Sequence, residues 1–174
     1  MISLGIDASY NNSGLVWYGD IIDQPAPSIL CYKKLRFPPG PKRLFRAMIA
    51  IKSEMDKSPY PDVYILEDTI WTRTDKNNDL LEVSVGRRTI KMLHELNAIY
   101  KVLIQSRDVE PLEVEASLVK RWLTGSGAAN KALVAQELRQ RYSISFEKDS
   151  GFDLSDAAVL AIWGYHQRRK DQPV

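Results

Sequence analysis

Residues 152–163 read Phe152-Asp153-Leu154-Ser155-Asp156-Ala157-Ala158-Val159-Leu160-Ala161-Ile162-Trp163, two acids three positions apart at the start of an apolar run. In a helix, positions i and i+3 share a face, so Asp153 and Asp156 would stand about one turn apart. Their carboxylates repel each other, and a bound cation would relieve that repulsion. The alternative interpretation is a helix cap, with Asp153 as N-cap and Asp156 as its acidic partner.

Composition limits the class of protein. The chain has 174 residues, of which 44% are hydrophobic and 26% charged, which is typical of one globular domain with a buried core. The net charge is only +2, so an anionic partner would need clustered basic residues. Because Cys31 is the single cysteine and no signal peptide or membrane-spanning run is recognisable, we expect a cytoplasmic protein with no membrane contact.

Hydrophobic periodicity predicts an α/β fold. The first three strands should form an antiparallel meander, and helical crossovers should place the later strands parallel, giving a five-stranded mixed sheet flanked by helices. In the third strand, Lys33, Lys34 and Arg36 indicate an exposed edge. The predicted strands cover 2–8, 14–18, 28–37, 63–67 and 111–115. The predicted helices cover 42–57 and 79–105, a short segment from 117, 131–141 and 154–170.

Acids end two of the predicted strands, Asp7 the first and Glu67 the fourth. If these strands are neighbours, both carboxylates share one end of the sheet, and the last helix could bring Asp153 and Asp156 there. Two magnesium or manganese ions would balance four carboxylates, and oxygen ligands suit those hard cations. Such a pair of ions, about 4 Å apart, can hydrolyse a phosphodiester. Taken singly, Asp7 is also typical of a turn and Glu67 of a charged strand end.

Four short motifs occur in a characteristic order. They are Leu4-Gly5-Ile6-Asp7, Leu66-Glu67, the segment from Lys120 through Gly125-Ser126-Gly127 to Lys131, and Asp153-Leu154-Ser155-Asp156-Ala157. In this order, and over nearly the whole chain, the sequence resembles the RuvC-type Holliday junction resolvases, which have a ribonuclease H-like fold.

The resemblance implies a single nuclease domain over 1–174 that acts as a homodimer in the cytoplasm of a bacterial or phage-infected cell. It implies binding of four-way DNA junctions and symmetric nicking of two strands. Magnesium, two ions per site, would be held by Asp7, Glu67, Asp153 and Asp156. Lys120 and Lys131 would face DNA near the site.

The sequence departs from the bacterial members at two places. Ala8-Ser9 stands where they usually carry Pro-Gly, and Ile70 stands where they carry an aromatic thought to wedge into the junction, with Trp71 next to it. These differences indicate a divergent or phage-type branch.

Basic and aromatic residues are candidates for DNA contact. Arg73 and Lys76 follow Glu67 closely, and Trp71, which lies between Glu67 and Arg73, could stack on a base. Arg87 and Arg88 lie on the polar face of the predicted helix 79–105, where such runs are usually a solvated surface and are also candidates for phosphate contact. Lys131, at a helix N-terminus, could stabilise a phosphorane-like transition state. The apolar face of helix 79–105 is wider than one contact buries, which predicts a homodimer through this helix.

Two other functions stay open. Gly5-Ile6-Asp7 followed by Asn11-Asn12-Ser13-Gly14 also fits an actin-like ATPase or sugar kinase, although such proteins have two similar domains. A non-catalytic module that binds branched DNA is the other alternative. It gives no reason for four acids, whose charge would repel phosphate.

Overall fold

The computed structural model describes residues 1–9, 11–68, 73–74, 80–81, 87–147, 149 and 151–170, with backbone alone at 73–74, 80–81 and 87–90. The strands are β1 (Ile2–Ala8), β2 (Asn12–Gly19), β3 (Ser28–Arg36), β4 (Val63–Glu67), β5 (Arg73–Thr74), β6 (Leu80–Leu81) and β7 (Leu112–Val114). The helices are α1 (Arg43–Lys57), α2 (Arg87–Gln105), α3 (Ala116–Thr124), α4 (Lys131–Tyr142) and α5 (Asp153–Lys170).

The main sheet has the predicted mixed topology. Its strand order is β3-β2-β1-β4-β7, in which β1, β2 and β3 pair antiparallel and β4 pairs parallel with both β1 and β7. The α/β prediction, with three antiparallel strands followed by parallel ones and helices on the faces, is therefore confirmed.

The predicted start of the long helix at residue 79 is wrong. Leu80–Leu81 pairs antiparallel with Arg73–Thr74 as a separate two-stranded sheet, and α2 begins at Arg87. Two adjacent leucines fit the apolar stripe of a helix and the ladder of a short hairpin equally well, so periodicity does not separate these outcomes.

Two apolar cores cover the two faces of the sheet. Strand β1 alternates between them, because successive side chains of a strand point to opposite faces. Leu4 and Ile6 are fully buried in the core that includes residues of α1 and α2. Ser3 faces the other way, where its hydroxyl donates to the Ala161 carbonyl of α5 over 2.7 Å. Gly5 and Asp7 share that second face.

Helix α5 lies almost directly on the sheet. A Cβ atom added at Gly5 would lie 2.0 Å from the Ala157 carbonyl oxygen, and one added at Gly164 would lie 2.2 Å from Ile65 Cδ1. Residues 157–165 are buried without a break, so α5 is the central helix of its layer. Within the described ranges, no helix has the length and apolar character needed to cross a bilayer.

Candidate active site

Strands β1 and β4 bring Asp7 and Glu67 together. Their parallel register aligns Gly5 with Ile65 and Ile6 with Leu66, so one further step sets Glu67 beside Asp7. Both acids then share the face that α5 covers. Asp7 is buried, with 7% of its surface exposed, and Glu67 is partly buried.

The start of α5 lies over the same end of the sheet. Asp7 pairs with Gly14 across β1 and β2, and a Cβ atom added at Gly14 would lie 2.1 Å from the Asp153 carbonyl oxygen. Only a residue without a side chain allows the helix to begin this close to the strand. The packing brings Asp153, which is buried, and Asp156, whose side chain is 11% exposed, next to Asp7.

A different acid caps α5. Asp149 Oδ2 accepts hydrogen bonds from the backbone N–H groups of Leu154 at 3.1 Å and Ser155 at 3.0 Å, and from the Ser155 hydroxyl at 3.2 Å. Phe152, with φ of 58°, turns the chain before the helix begins at Asp153. The interpretation of Asp153 as the N-cap is therefore wrong: Asp149 binds the free N–H groups, and Asp153 is left for other contacts.

The carboxylates at this end of the sheet repel one another. Burial raises the pKa of Asp7 well above its ordinary value, and the charges of Glu67, Asp156 and Asp153 raise it further, while Lys131 partly offsets them. Burial, followed by the charge of Asp156, likewise raises the pKa of Glu67. The other three acids predicted from the sequence thus lie within electrostatic range of Asp7, and the lysines only partly offset their charge.

Two of the predicted lysines border the acids. Lys131, the first residue of α4, places Nζ 2.7 Å from Asp156 Oδ2 and 3.2 Å from the Gly151 carbonyl oxygen. Burial alone would lower the pKa of Lys131, but its pairing with Asp156 and the charges of Asp7 and Asp153 raise that pKa. Lys120 of α3 shares a small cleft with Glu67 and Asp156, and its charge opposes the rise in the Glu67 pKa.

A third lysine, Lys34, was not among the predicted site residues. Strand β3 is an edge strand, as predicted, yet the Lys34 side chain is only 18% exposed. Its Nζ lies 2.8 Å from Asp153 Oδ2 and 3.1 Å from Asp149 Oδ1. Strand alternation separates Lys34 from Lys33, which is 52% exposed, but the sequence does not reveal which of the two faces the acids.

The acids fit a hard divalent cation by type, since all are oxygen donors and their negative charge is in excess. Within the described part of the chain, however, no three acidic, histidine or cysteine side chains are already gathered closely enough to hold a metal ion. Lys131 and Lys34 contact Asp156 and Asp153 instead. A cation bound by all four acids would have to displace or share these two ion pairs.

Several predicted DNA contacts are untested. Ile70, Trp71 and Lys76 lie outside the described residues, and Arg73, Arg87 and Arg88 are described by backbone alone, in β5 and α2. Their roles stay predictions.

Comparison with known proteins identifies the fold. No protein-family profile matches the chain, and no curated protein matches it. Among solved structures, Thermus thermophilus RuvC in complex with a Holliday junction substrate matches with a TM-score of 0.75 and 17% identity, over 98% of this chain and 96% of that one. The Fowlpox virus resolvase, in complex with Holliday junction DNA, matches with a TM-score of 0.59 and 11% identity, over 97% of this chain and 99% of that one.

These matches cover nearly the full length of both chains. The protein therefore has the ribonuclease H-like fold shared by RuvC and the poxvirus Holliday junction resolvases. At such low identity the likeness establishes the fold alone.

Proposed function

We propose that the protein is a metal-dependent, structure-selective DNA endonuclease that resolves four-way junctions by paired symmetric nicks. The whole chain would act as one nuclease domain, and two copies would assemble so that each cuts one strand. Magnesium is the proposed cofactor, with manganese as a substitute and two ions in each site.

The observation that carries this proposal is the meeting of four acids from distant parts of the chain on one end of the sheet. Asp7 and Glu67 come from neighbouring strands, and Asp153 and Asp156 come from the helix that covers them. Burying like charges together is unfavourable, so a fold that does so without a ligand gains nothing from it. The match to two resolvases solved with junction DNA supports DNA as the substrate.

In the proposed reaction the acids bind the metal ions and the lysines contact the DNA. Asp7, Glu67, Asp153 and Asp156 would hold the cations, which when bound activate water and stabilise the leaving oxygen of a phosphodiester. Lys131, half exposed at the start of α4, would contact the phosphate and stabilise its developing negative charge. Lys120 beside Glu67 would hold the DNA backbone at the entrance of the cleft.

A panel of DNA substrates tests the proposal. Four-way junctions, three-way junctions, nicked duplexes and linear duplexes are incubated with the protein and magnesium, manganese or a chelator. We expect nicks at symmetric positions in the four-way junction with either metal, and none in the chelator.

The same panel separates the proposed nuclease from a non-catalytic binding module. A protein that retards the four-way junction on a gel but cuts no substrate with either metal would favour the module and contradict the nuclease. Equal cutting of linear and branched DNA would contradict the structure selectivity while leaving the metal chemistry in place.

A further inference from the structure

Lys34 reaches the candidate site from the edge of the sheet. The register aligns Asp7 of β1, Gly14 of β2 and Lys34 of β3 in one row across three strands. Partners in neighbouring strands point to the same face, so the Lys34 side chain lies on the side that α5 covers. Because Gly14 has no side chain, the space between Asp7 and Lys34 is filled by the start of α5.

The Lys34 ammonium stands between two buried carboxylates. The side chains of Asp149 and Asp153 are 3% and 7% exposed, and Lys34 contacts one oxygen of each. The other oxygen of Asp149 caps α5. Lys34 thus joins the residue that fixes the start of the helix to a residue proposed to hold metal.

We propose that Lys34 competes with divalent cations for Asp153, so that the Asp153 side of the site binds its cation weakly. The inference rests on the proposed function and adds that the two cation positions differ in affinity. Asp7 and Glu67, the two acids from the strands, have no lysine partner among the ion pairs of the described residues. Of the two acids from α5, Asp153 has Lys34 at 2.8 Å, and Asp156 has Lys131 at 2.7 Å.

The charge of Lys34 gives the direction of the effect. A fixed positive charge beside a carboxylate repels a divalent cation that approaches the same oxygen. Its removal should therefore tighten binding of a divalent cation, even though it costs the folded state an ion pair. A purely structural role predicts the reverse, because a loosened Asp153 would bind a cation less well.

Manganese binding to the full chain, without DNA, tests this inference by calorimetry. At the weaker of the two cation positions, we expect Lys34→Met to bind Mn²⁺ about tenfold more tightly than the wild type does. Lys34→Arg, which keeps the charge, should bind Mn²⁺ as the wild type does. Lys33→Met is the matched control, since Lys33 points to the opposite face and pairs with Glu54 at 3.7 Å.

Thermal unfolding of a second variant tests the inference if Lys34→Met folds poorly. Lys34→Gln keeps a hydrogen-bond donor, and its midpoint of thermal unfolding should rise more steeply with Mn²⁺ concentration than that of the wild type.

The outcomes separate this inference from the proposed function. Equal or weaker Mn²⁺ binding by both Lys34→Met and Lys34→Gln, with binding still abolished by Asp7→Asn, would overturn the role of Lys34 and leave the metal site standing. Absence of Mn²⁺ binding in the wild type and in both variants would overturn the proposed metal chemistry, and this inference with it.

Discussion

At the scale of single residues, Asp7 is a buried acid surrounded by other acids. An unfolded chain ionises Asp7 near its ordinary pKa, whereas in the folded chain burial and the charges of Glu67, Asp156 and Asp153 raise that pKa. The folded state therefore binds the proton more tightly. Its stability falls as pH rises from about 4 through the raised pKa.

Asp7→Asn removes this charge without changing the shape of the side chain. In the presence of a chelator we expect the variant to be more stable than the wild type by roughly 1 to 3 kcal/mol at pH 7, and the difference to disappear near pH 4. Urea unfolding of both proteins at the two pH values measures it. A variant less stable than the wild type at pH 7 would show that the acids do not repel one another in the folded chain.

Asp149 caps α5, a role for which the sequence had suggested Asp153. Asp149→Ala removes the cap from α5 and one partner of Lys34, so we expect a loss of roughly 1 to 2 kcal/mol in the free energy of unfolding. Glu147→Ala, two residues earlier and exposed, is the control and should change stability by less than about 0.5 kcal/mol. Equal stability of the two variants would contradict the capping role.

At the scale of secondary structure, the close contact of α5 with the sheet positions the proposed metal ligands. Gly5→Ala forces a methyl group to within 2.0 Å of the Ala157 carbonyl oxygen unless the helix moves away. We expect a loss of about 3 kcal/mol in the free energy of unfolding, measured in urea. His94→Ala on the exposed face of α2 is the control, and a loss in Gly5→Ala no larger than in this variant would contradict the packing.

The elements were predictable to different degrees, for physical reasons. The continuous apolar run of β4 fits a strand buried on both faces, and its bounds at Val63 and Glu67 are confirmed. The start of α2 was not predictable, because Leu80 and Leu81 fit both the apolar spacing of a helix and that of a strand. Lys34 could not be assigned to the site, because the sequence between β2 and β3 does not define their register.

At the scale of the whole molecule, the site depends on strand order rather than on any local motif. Asp7 and Glu67 are sixty positions apart and meet because β1 and β4 are parallel neighbours. The pattern of strands and helices predicts that β4 lies parallel in the sheet, but not that it lies beside β1. The cap at Asp149 and the ion pairs of Lys34 and Lys131 depend on loops and register, which periodicity does not contain.

The proposed homodimer through α2 also concerns the whole molecule. Helix α2 buries Leu96 and Tyr100 against the core, while Val102, on its opposite side, is 64% exposed. We expect the wild type to sediment at micromolar concentration with twice the 19.8 kDa mass of the chain, and Val102→Glu to shift it toward the monomer. His94→Glu, on another face of α2, is the control, and a monomeric wild type would contradict the dimer.

Cleavage of a synthetic four-way junction by the wild type and by Asp7→Asn, both with magnesium, tests whether the acids on this end of the sheet carry out the reaction. We expect paired symmetric nicks by the wild type, and no nicks by Asp7→Asn although the variant still binds the junction. Cleavage by Asp7→Asn at the wild-type rate would contradict the claim that the acids on this end of the sheet carry out the reaction.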